Sequence, residues 1–311
     1  MANPVTWNQR EEVDWLDYTI QPPLGILKGD YYAAEKEFGQ SPGVGGHHGK
    51  LEVVVDDGKI VFVEFNERAM DCYYNQYFAG RDKRRSDYGI WQASKSRLVE
   101  LGVVLVNGMM KVESQIMKNQ SLDGDFELLT GASGSMKNMV PMAKKLAPLI
   151  GKPSSRRFYS IAEDFTYGLT GWLRVIIEDG QIISCRYDEL FADHQKDIWY
   201  PELKQYYRQS KAQSPCYADP FAPGYDRHCW NINFVSLMDM LESRVLERQA
   251  LLPLDGLYYL EGRNCGAMWD KRAMFDEPVT NKGAVRYPSW DNYERLAKQL
   301  TTVLPKPFGG A

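Results

Sequence analysis

The chain has 311 residues, of which 44% are apolar and 25% charged, and its net charge is −4 at pH 7. This composition is typical of a globular protein with room for two domains. The negative balance argues against nucleic acid as a bulk partner, because phosphate binding needs a broad basic surface. Five scattered cysteines without a Cys-x-x-Cys pair, together with only four histidines, point to no metal centre.

Residues 1–28 are expected to form an amino-terminal extension. They are polar and end in Pro22-Pro23-Leu24-Gly25, so we expect them to run extended along a domain surface. They show no basic run followed by an apolar one, and the chain has no long apolar stretch. We therefore expect a cytoplasmic protein without a membrane span. A mature exported protein whose leader has been removed would look the same.

A segment of the chain occurs twice. Gly49–Glu67 aligns without a gap with Gly171–Glu189, and seven of the nineteen positions are identical. Both copies place Asp-Gly between two β-branched runs, at Asp57-Gly58 and Asp179-Gly180, and this pattern is typical of a tight hairpin turn. One β-hairpin used twice is the expected result.

In the first copy the strands are expected at 51–55 and 60–65. The polar side chains of Glu52 and Glu64 within these strands predict one solvated face. Between residues 39 and 49 we expect a glycine-rich loop.

Helices are expected to follow each hairpin. Met109, Val112 and Ile116 have helical spacing and predict a helix over 105–120, followed by a second over 136–149 that Pro141 interrupts. The second copy predicts a helix over 234–249. Its last helix contains Ala297–Leu300, which matches Ala143–Leu146 of the first copy.

These elements predict an α+β fold. It is a tandem repeat of two similar units, each an antiparallel sheet with a β-hairpin packed by helices. After the extension of residues 1–28, the first domain spans 29–153 and the second 154–311.

A loop of small residues leads into the second helix of the first unit. Small residues let a ligand approach the backbone, hydroxyl groups donate to oxygens, and a helix start favours an anion. The alternative is that Ser133 or Ser135 caps the helix and the glycines make a turn. The loop consists of Thr130, Gly131, Ala132, Ser133, Gly134 and Ser135.

The loop resembles the [Ser/Thr]-Gly-Ala-[Ser/Thr]-x-[Ser/Thr] signature of the FMN-binding domain family. That family includes the flavin subunits of sodium-pumping quinone reductase-type complexes and tandem flavin electron shuttles. The order of elements here is also similar to it: a hairpin, a helix, then the signature before a last helix. The resemblance implies that residues 130–135 hold FMN.

In family members modified by a flavin transferase, the last hydroxyl of the signature carries FMN through a phosphoester bond. The resemblance places that position at Ser135. Glu127 stands where an Asp is common in the family, and Ser is less usual than Thr at the last position. Covalent attachment at Ser135 and reversible FMN binding both stay open.

The second copy is expected to lack the signature. The stretch that we align with it, 260–268, keeps Gly262 but replaces the three hydroxyl residues with Glu261, Asn264 and Gly266. A carboxylate would repel a phosphate, so a single FMN in the first unit is the expected arrangement.

The glycine-rich loop supplies further candidates. Its backbone amides could cover a flavin or a phosphate, which makes Gly46, His47 and His48 candidate cofactor-binding residues, and one histidine could donate a proton there. Adjacent residues on a strand face opposite sides, so the two histidines are a poor metal pair. The alternative is a flexible connection.

The densest positive charge is the run Arg81, Lys83, Arg84 and Arg85. One interpretation is a solvated loop. The other is a docking patch for an acidic partner or for the FMN phosphate.

The sequence thus favours an FMN-binding redox protein that passes electrons from an outside reductase to an acceptor, with a redox partner protein. No catalytic residue is assigned, because the chemistry belongs to the cofactor. One alternative is a non-redox ligand-binding or scaffold protein on a degenerate tandem fold. Another is an NAD(P)H-dependent flavin reductase, although an electron carrier fits better than a self-contained enzyme.

Overall fold

A computed structural model describes residues 18–41, 45–70, 78–95, 105–165, 167–199, 201–214, 234–253 and 288–308. This part of the chain has an α+β fold. The strands are β1 Gly25–Ser41, β2 Gly45–Asp56, β3 Lys59–Ala69, β4 Arg156–Phe165, β5 Leu169–Glu178 and β6 Gln181–Phe191. The α-helices are α1 Tyr88–Lys95, α2 Leu105–Asn119, α3 Ser133–Leu146, α4 Phe234–Arg248 and α5 Pro288–Thr301. Short 3₁₀ helices span Ala147–Leu149, Gln195–Asp197 and Pro201–Tyr206.

The strands form one antiparallel sheet in the order β3-β2-β1-β4-β5-β6. Strands β1 and β4 pair at its centre, from Gly25 opposite Ala162 to Asp30 opposite Arg157. The strands of residues 25–69 and of residues 156–191 therefore share a single sheet.

Both predicted hairpins are confirmed, and both turn in the same way. Asp57 and Asp179 have φ angles of 48° and 49°, and the glycine after each has a φ angle of 72° or 74°. Glycine adopts this left-handed conformation without strain, which explains the shared Asp-Gly. A register shift follows at the same place in each hairpin, at Val54/Val55 and at Ile176/Ile177.

Sequence reasoning missed β1 and the full length of the hairpin strands. Strand β2 begins at Gly45, so part of the predicted glycine-rich loop is strand, while residues 42–44 lie outside the described residues. The helical predictions hold for α2 and α4 to within a residue. Helix α3 begins three residues earlier than predicted and keeps Pro141 inside it.

The helices cover one face of the sheet. Helix α3 contacts β1 and β2, α2 contacts α3 and β3, α4 contacts β6, and α5 contacts β4 and β5. The core between helices and sheet is apolar and almost fully buried. Its side chains include Leu51, Phe65, Met109, Ile116, Met136, Met139, Leu173, Val175, Leu241, Tyr293 and Leu296.

The opposite face was predicted to be solvated, and that prediction is wrong. The rings of Phe62 on β3 and Trp172 on β5 lie 6.1 Å apart, although three strands separate these two strands. In a flat sheet the gap would be about 19 Å, at roughly 4.8 Å between neighbouring strands. The sheet is therefore strongly curled, and this face is its concave side. Glu64 is only 5% exposed there.

Two loops close the curl where the outer strands end. The backbone N–H of Ser210 donates to the carbonyl of Arg85 at 2.8 Å. Gln213 accepts from the Arg81 guanidinium through its carbonyl at 2.6 Å, and from the Asp82 N–H through its side chain at 2.9 Å. The loops after β3 and β6 are thus joined by direct hydrogen bonds.

Two residues of the predicted extension pack against this junction, whereas residues 23–26 are exposed as predicted and residues 25–28 belong to β1. Ile20 is fully buried, and its carbonyl accepts from Arg85 at 3.3 Å. The side-chain amide of Gln21 donates to the carbonyl of Phe191 at 2.8 Å. Residues 1–17 lie outside the described residues.

One glutamine at the end of a helix caps each outer strand. Gln120 accepts from the N–H of Ile60 at 2.8 Å and donates to its carbonyl at 3.0 Å. Gln249 does the same for Ile182 at 2.6 and 3.0 Å. Both glutamines have a φ angle of 54°. The edge strands therefore keep their terminal backbone groups satisfied.

We predict that Gln120→Ala and Gln249→Ala each lower the free energy of unfolding by about 1–3 kcal/mol, because two backbone groups lose their partner. Urea denaturation measures this. Lys118→Ala, at an exposed position in the last turn of α2, is the control and should change stability by no more than about 0.5 kcal/mol. Unchanged midpoints in both glutamine variants would contradict the capping role.

Candidate functional site

The signature loop is an exposed turn that enters α3. Thr130 and Gly131 are exposed, Gly131 has a φ angle of 87°, and the N–H of Ala132 donates to the carbonyl of Leu129 at 3.1 Å. Ala132 is the residue before the helix, and no side chain caps the helix start. The alternative in which Ser133 or Ser135 caps the helix is therefore wrong.

Helix α2 holds this turn in place. Ala132 is fully buried, and a Cβ on Gly108 would lie 2.8 Å from both the Cβ and the carbonyl oxygen of Ala132. Only glycine at position 108 allows this close approach of helix and loop. Ser133 is half-buried and Gly134 is exposed, so the outer side of the turn is open.

Ser135 points inward instead. It is 1% exposed, and its hydroxyl donates to Oε2 of Glu67. Glu67 also accepts from Asn138 at 2.6 Å and from Lys83 Nζ at 2.8 Å. These four residues are called the Glu67 cluster below. It lies under the signature loop, between β3 and α3.

The electrostatics of the Glu67 cluster are those of a desolvated ion pair. Burial raises the pKa of Glu67, but the Lys83 charge and the hydrogen bonds outweigh it, so that pKa falls below its usual value. Burial lowers the pKa of Lys83, which its attraction to Glu67 only partly offsets. The pair is thus held charged by mutual contact in a place that water does not reach.

The structure places only one of the two histidines at the Glu67 cluster. Burial and the Lys83 charge lower the pKa of His47 to about 4, so its imidazole is neutral at pH 7. His48 lies on the other face of β2, with its Nε2 atom 3.3 Å from Glu35. The expectation that the two histidines face opposite sides is confirmed. Gly46 is buried, and its carbonyl accepts from the N–H of Met70 at 2.9 Å.

The basic run is neither a solvated loop nor a docking patch. Lys83, Arg84 and Arg85 are 4–7% exposed. Arg84 donates to both carboxylate oxygens of Glu113, at 2.7 and 2.9 Å. Arg85 likewise binds both oxygens of Glu64, with Nη1 to Oε1 at 2.7 Å. The signal that could have revealed this is the set of three glutamates in otherwise apolar segments, Glu64, Glu67 and Glu113.

A second cluster has the same chemistry around Glu189 on β6, which is 1% exposed. Glu189 pairs with Lys211, and it accepts from Asn292 at 2.9 Å and from the Tyr187 hydroxyl at 2.7 Å. Ser289, three residues before Asn292 in α5, is buried, as Ser135 is three residues before Asn138. The stretch 260–268, which we aligned with the signature, lies outside the described residues.

No helix in the described ranges is long and apolar enough to cross a lipid bilayer.

Comparison with known proteins assigns neither a family nor an activity. A glutamate–tRNA ligase of Borreliella afzelii (strain PKo) is 23% identical over 142 residues, which cover 40% of this chain and 29% of the ligase. The chain therefore spans less than a third of the length of that relative. No model of a known family matches the chain, and no solved structure matches it significantly.

The residues present fit one of the two modes of FMN binding better than the other. A phosphoester at Ser135 would place a phosphate against the Glu67 carboxylate, in a site buried from solvent. The exposed hydroxyl of Thr130 and the open side of the turn suit a phosphate held by hydrogen bonds. The burial of Ser135 against Glu67 thus disfavours covalent attachment at this residue.

We predict strong coupling within the Glu67 cluster. Glu67→Gln or Lys83→Met alone should lower the free energy of unfolding by about 3–5 kcal/mol, because one buried charge loses its partner. The double variant should lose clearly less than the sum of the two. Denaturant titration of all four proteins gives the coupling energy.

The control is an exposed ion pair, Arg244–Glu247, with a separation of 3.4 Å. Arg244→Met should change stability by less than about 1 kcal/mol. Additive losses in the double variant of the Glu67 cluster would show that the two charges do not depend on each other.

We also predict a dependence of stability on pH that comes from His47. The pKa of its imidazole is about 4 in the folded protein against an ordinary 6.5, so the unfolded chain binds the proton more readily. The contribution of the neutral imidazole to the free energy of unfolding is complete above pH 6.5 and is lost as the pH falls towards 4. His47→Gln should reduce the change of the unfolding midpoint between pH 6.5 and pH 4. An NMR titration that puts the His47 pKa near 6.5 would contradict the prediction.

Proposed function

We propose that this protein binds one FMN reversibly at residues 130–135 and carries electrons between an outside reductase and an acceptor. The observation that carries the proposal is the signature turn. Its Thr130 and Gly131 are exposed at the start of α3, while Ala132 anchors the turn against Gly108. Bound FMN would supply the redox chemistry, and the chain supplies position and polarity.

Each part of the turn has a role in this proposal. The hydroxyls of Thr130 and Ser133 and the first amides of α3 would hold the phosphate. Beneath them the neutral imidazole of His47 and the ion pair of Lys83 with Glu67 form a polar floor without net charge. Ser135 positions Glu67 and carries no flavin. Such binding needs no flavin transferase and agrees with a cytoplasmic protein that works with a redox partner.

We further propose that the chain is a tandem repeat with units at 29–153 and 154–311. Three matching features support it: the Asp-Gly turns with their register shifts, the capping glutamines, and the clusters around Glu67 and Glu189. Loop residues match as well, since Lys83 donates its N–H to the Glu67 carbonyl as Lys211 does to that of Glu189.

One observation favours a second candidate function, a non-redox ligand-binding or scaffold protein. The Glu189 cluster repeats the Glu67 cluster in contacts, so both clusters can serve stability alone. In that case the turn at Thr130 is a simple connection, and the purified protein binds no flavin.

The test is a titration of the purified protein with FMN, followed by flavin fluorescence and the visible spectrum. We predict that Thr130→Glu weakens FMN binding at least about 10-fold, since a carboxylate would face the phosphate. Thr302→Glu, at an exposed position in the second half, should leave it unchanged. Riboflavin, which lacks the phosphate, should bind more weakly than FMN.

Three further results would distinguish covalent attachment, a flavin reductase and a scaffold from the proposed carrier. An intact mass increased by one FMN, lost in Ser135→Ala, would establish covalent attachment and overturn our assignment of Ser135. Bleaching of the bound flavin by NADH alone would identify a flavin reductase. A colourless protein that does not bind FMN would support the scaffold.

A further inference from the structure

A groove of about 240 Å³ lies at the outer edge of β3. Helix α2 forms one wall, with Met110 and Met117, and residues 18–23 form the other, with Pro22 and Pro23. Its floor is the edge of β3 at residues 61–64. The groove is mostly apolar with a few polar groups, as ligand pockets usually are.

The backbone of β3 explains why its edge is open at this point. The backbone N–H and C=O groups that point away from β2 belong to every second residue, and at residues 65, 67 and 69 neighbouring residues bond to them. Phe65 donates its N–H to Glu113 and accepts from Arg84, Glu67 accepts from the N–H of Lys83, and Ala69 pairs with residues 80–81. Residues alternate along a strand, so Val63 also directs its N–H and C=O away from β2 and towards the groove. No described residue bonds to these two groups.

In the second half of the sheet, the backbone N–H at the corresponding position has a hydrogen-bond partner. Cys185 on β6 aligns with Val63, and its N–H donates to Glu242 of α4 at 3.4 Å. In the first half Glu113 aligns with Glu242, but Arg84 binds both of its oxygens and the carboxylate bonds to Phe65 instead.

Arg84 has no counterpart in the second half. Ala212 is in its place, since its N–H donates to Asp188 as the N–H of Arg84 donates to Asn66. Because Arg84 and the N–H of Phe65 bind the Glu113 carboxylate, that carboxylate does not accept from the N–H of Val63 as Glu242 accepts from the N–H of Cys185.

Gln21, in the wall of this groove, also carries a buried polar atom. Oε1 of Gln21, which lines the groove, is buried and has no hydrogen-bond partner among the described residues. Its Nε2 atom is engaged by the Phe191 carbonyl, so the amide is fixed in orientation. Buried polar atoms without a partner are rare because they destabilise the fold.

The charges in the walls indicate a neutral ligand. Arg84 lies between Glu113 at 2.7 Å and Glu64 at 3.8 Å, and Arg85 also pairs with Glu64. The two arginines and two glutamates carry no net charge for a ligand to neutralise, although the Nε atoms of Arg84 and Arg85 have no hydrogen-bond partner among the described residues.

We propose that this groove binds a short, uncharged peptide in extended conformation. One peptide residue pairs its N–H and C=O with the C=O and N–H of Val63, as in an antiparallel sheet. Its apolar side chain lies against Met110 and Met117. The site is separate from the turn at Thr130 and does not depend on flavin binding.

The experiment uses the full chain labelled with ¹⁵N and the probe N-acetyl-valine N-methylamide. We expect a saturable shift of the Val63 amide resonance with a dissociation constant on the order of millimolar, given the small size of the probe. The ester analogue, in which oxygen replaces the valine N–H, should bind at least about 5-fold more weakly.

Two matched variants locate the site. Ser114→Trp fills the rim of the groove from an exposed position and should abolish the shift. Ser243→Trp, at the equivalent exposed position of α4, should retain it. The proposal is overturned by no shift at saturating probe, by equal binding of the ester, or by unchanged binding in Ser114→Trp.

Discussion

Three buried ion pairs, whose basic residues lie in the loop after β3, hold the first half of this protein together. Lys83, Arg84 and Arg85 are consecutive, and each reaches a glutamate on a different element or face. Lys83 binds Glu67 below the signature turn, Arg84 binds Glu113 of α2, and Arg85 binds Glu64 on the concave side of the sheet. A charge buried in this way is tolerated only with its partner, so the three pairs fix loop, helix and strand relative to one another.

The curvature of the sheet depends on the same loop. Because Arg85 sits on the concave face, its guanidinium lies 4.9 Å from the ring of Trp172, and Arg174 lies 4.0 Å from that ring on β5. The Arg85 contact links the loop after β3 to the middle strand of the second half, while the Arg174 contact lies within β5. The loop backbone then bonds to residues 210–213, so the loop that carries the ion pairs also closes the curl.

Local patterns predicted much of this fold, and non-local contacts account for what they missed. The Asp-Gly turns and the helical spacing of Met109, Val112 and Ile116 gave the hairpins and α2, because both signals lie within a few residues. Strand β1 was missed because its pairing with β4 is not visible in its own sequence. The burial of Lys83–Arg85 was missed for the same reason, since their partners are up to 29 residues away.

The candidate site shows the same limit. Thr130–Ser135 could be identified from their order in the sequence, and so could the opposite orientations of His47 and His48. That Ser135 faces Glu67, 68 residues earlier, follows only from the packing of α3 on the sheet. A signature identifies residue types, but it does not determine which hydroxyl remains open to a ligand.

The central pairing of β1 with β4 has a consequence for how the chain folds as it is made. Arg157 and Asp30, which are joined across this pair at 2.6 Å, lie 127 positions apart. Each hairpin and its following helix can form from local contacts while synthesis continues, but the sheet centre cannot close until residue 165 has left the ribosome. Until then the edge of β1 that pairs with β4 has no partner strand.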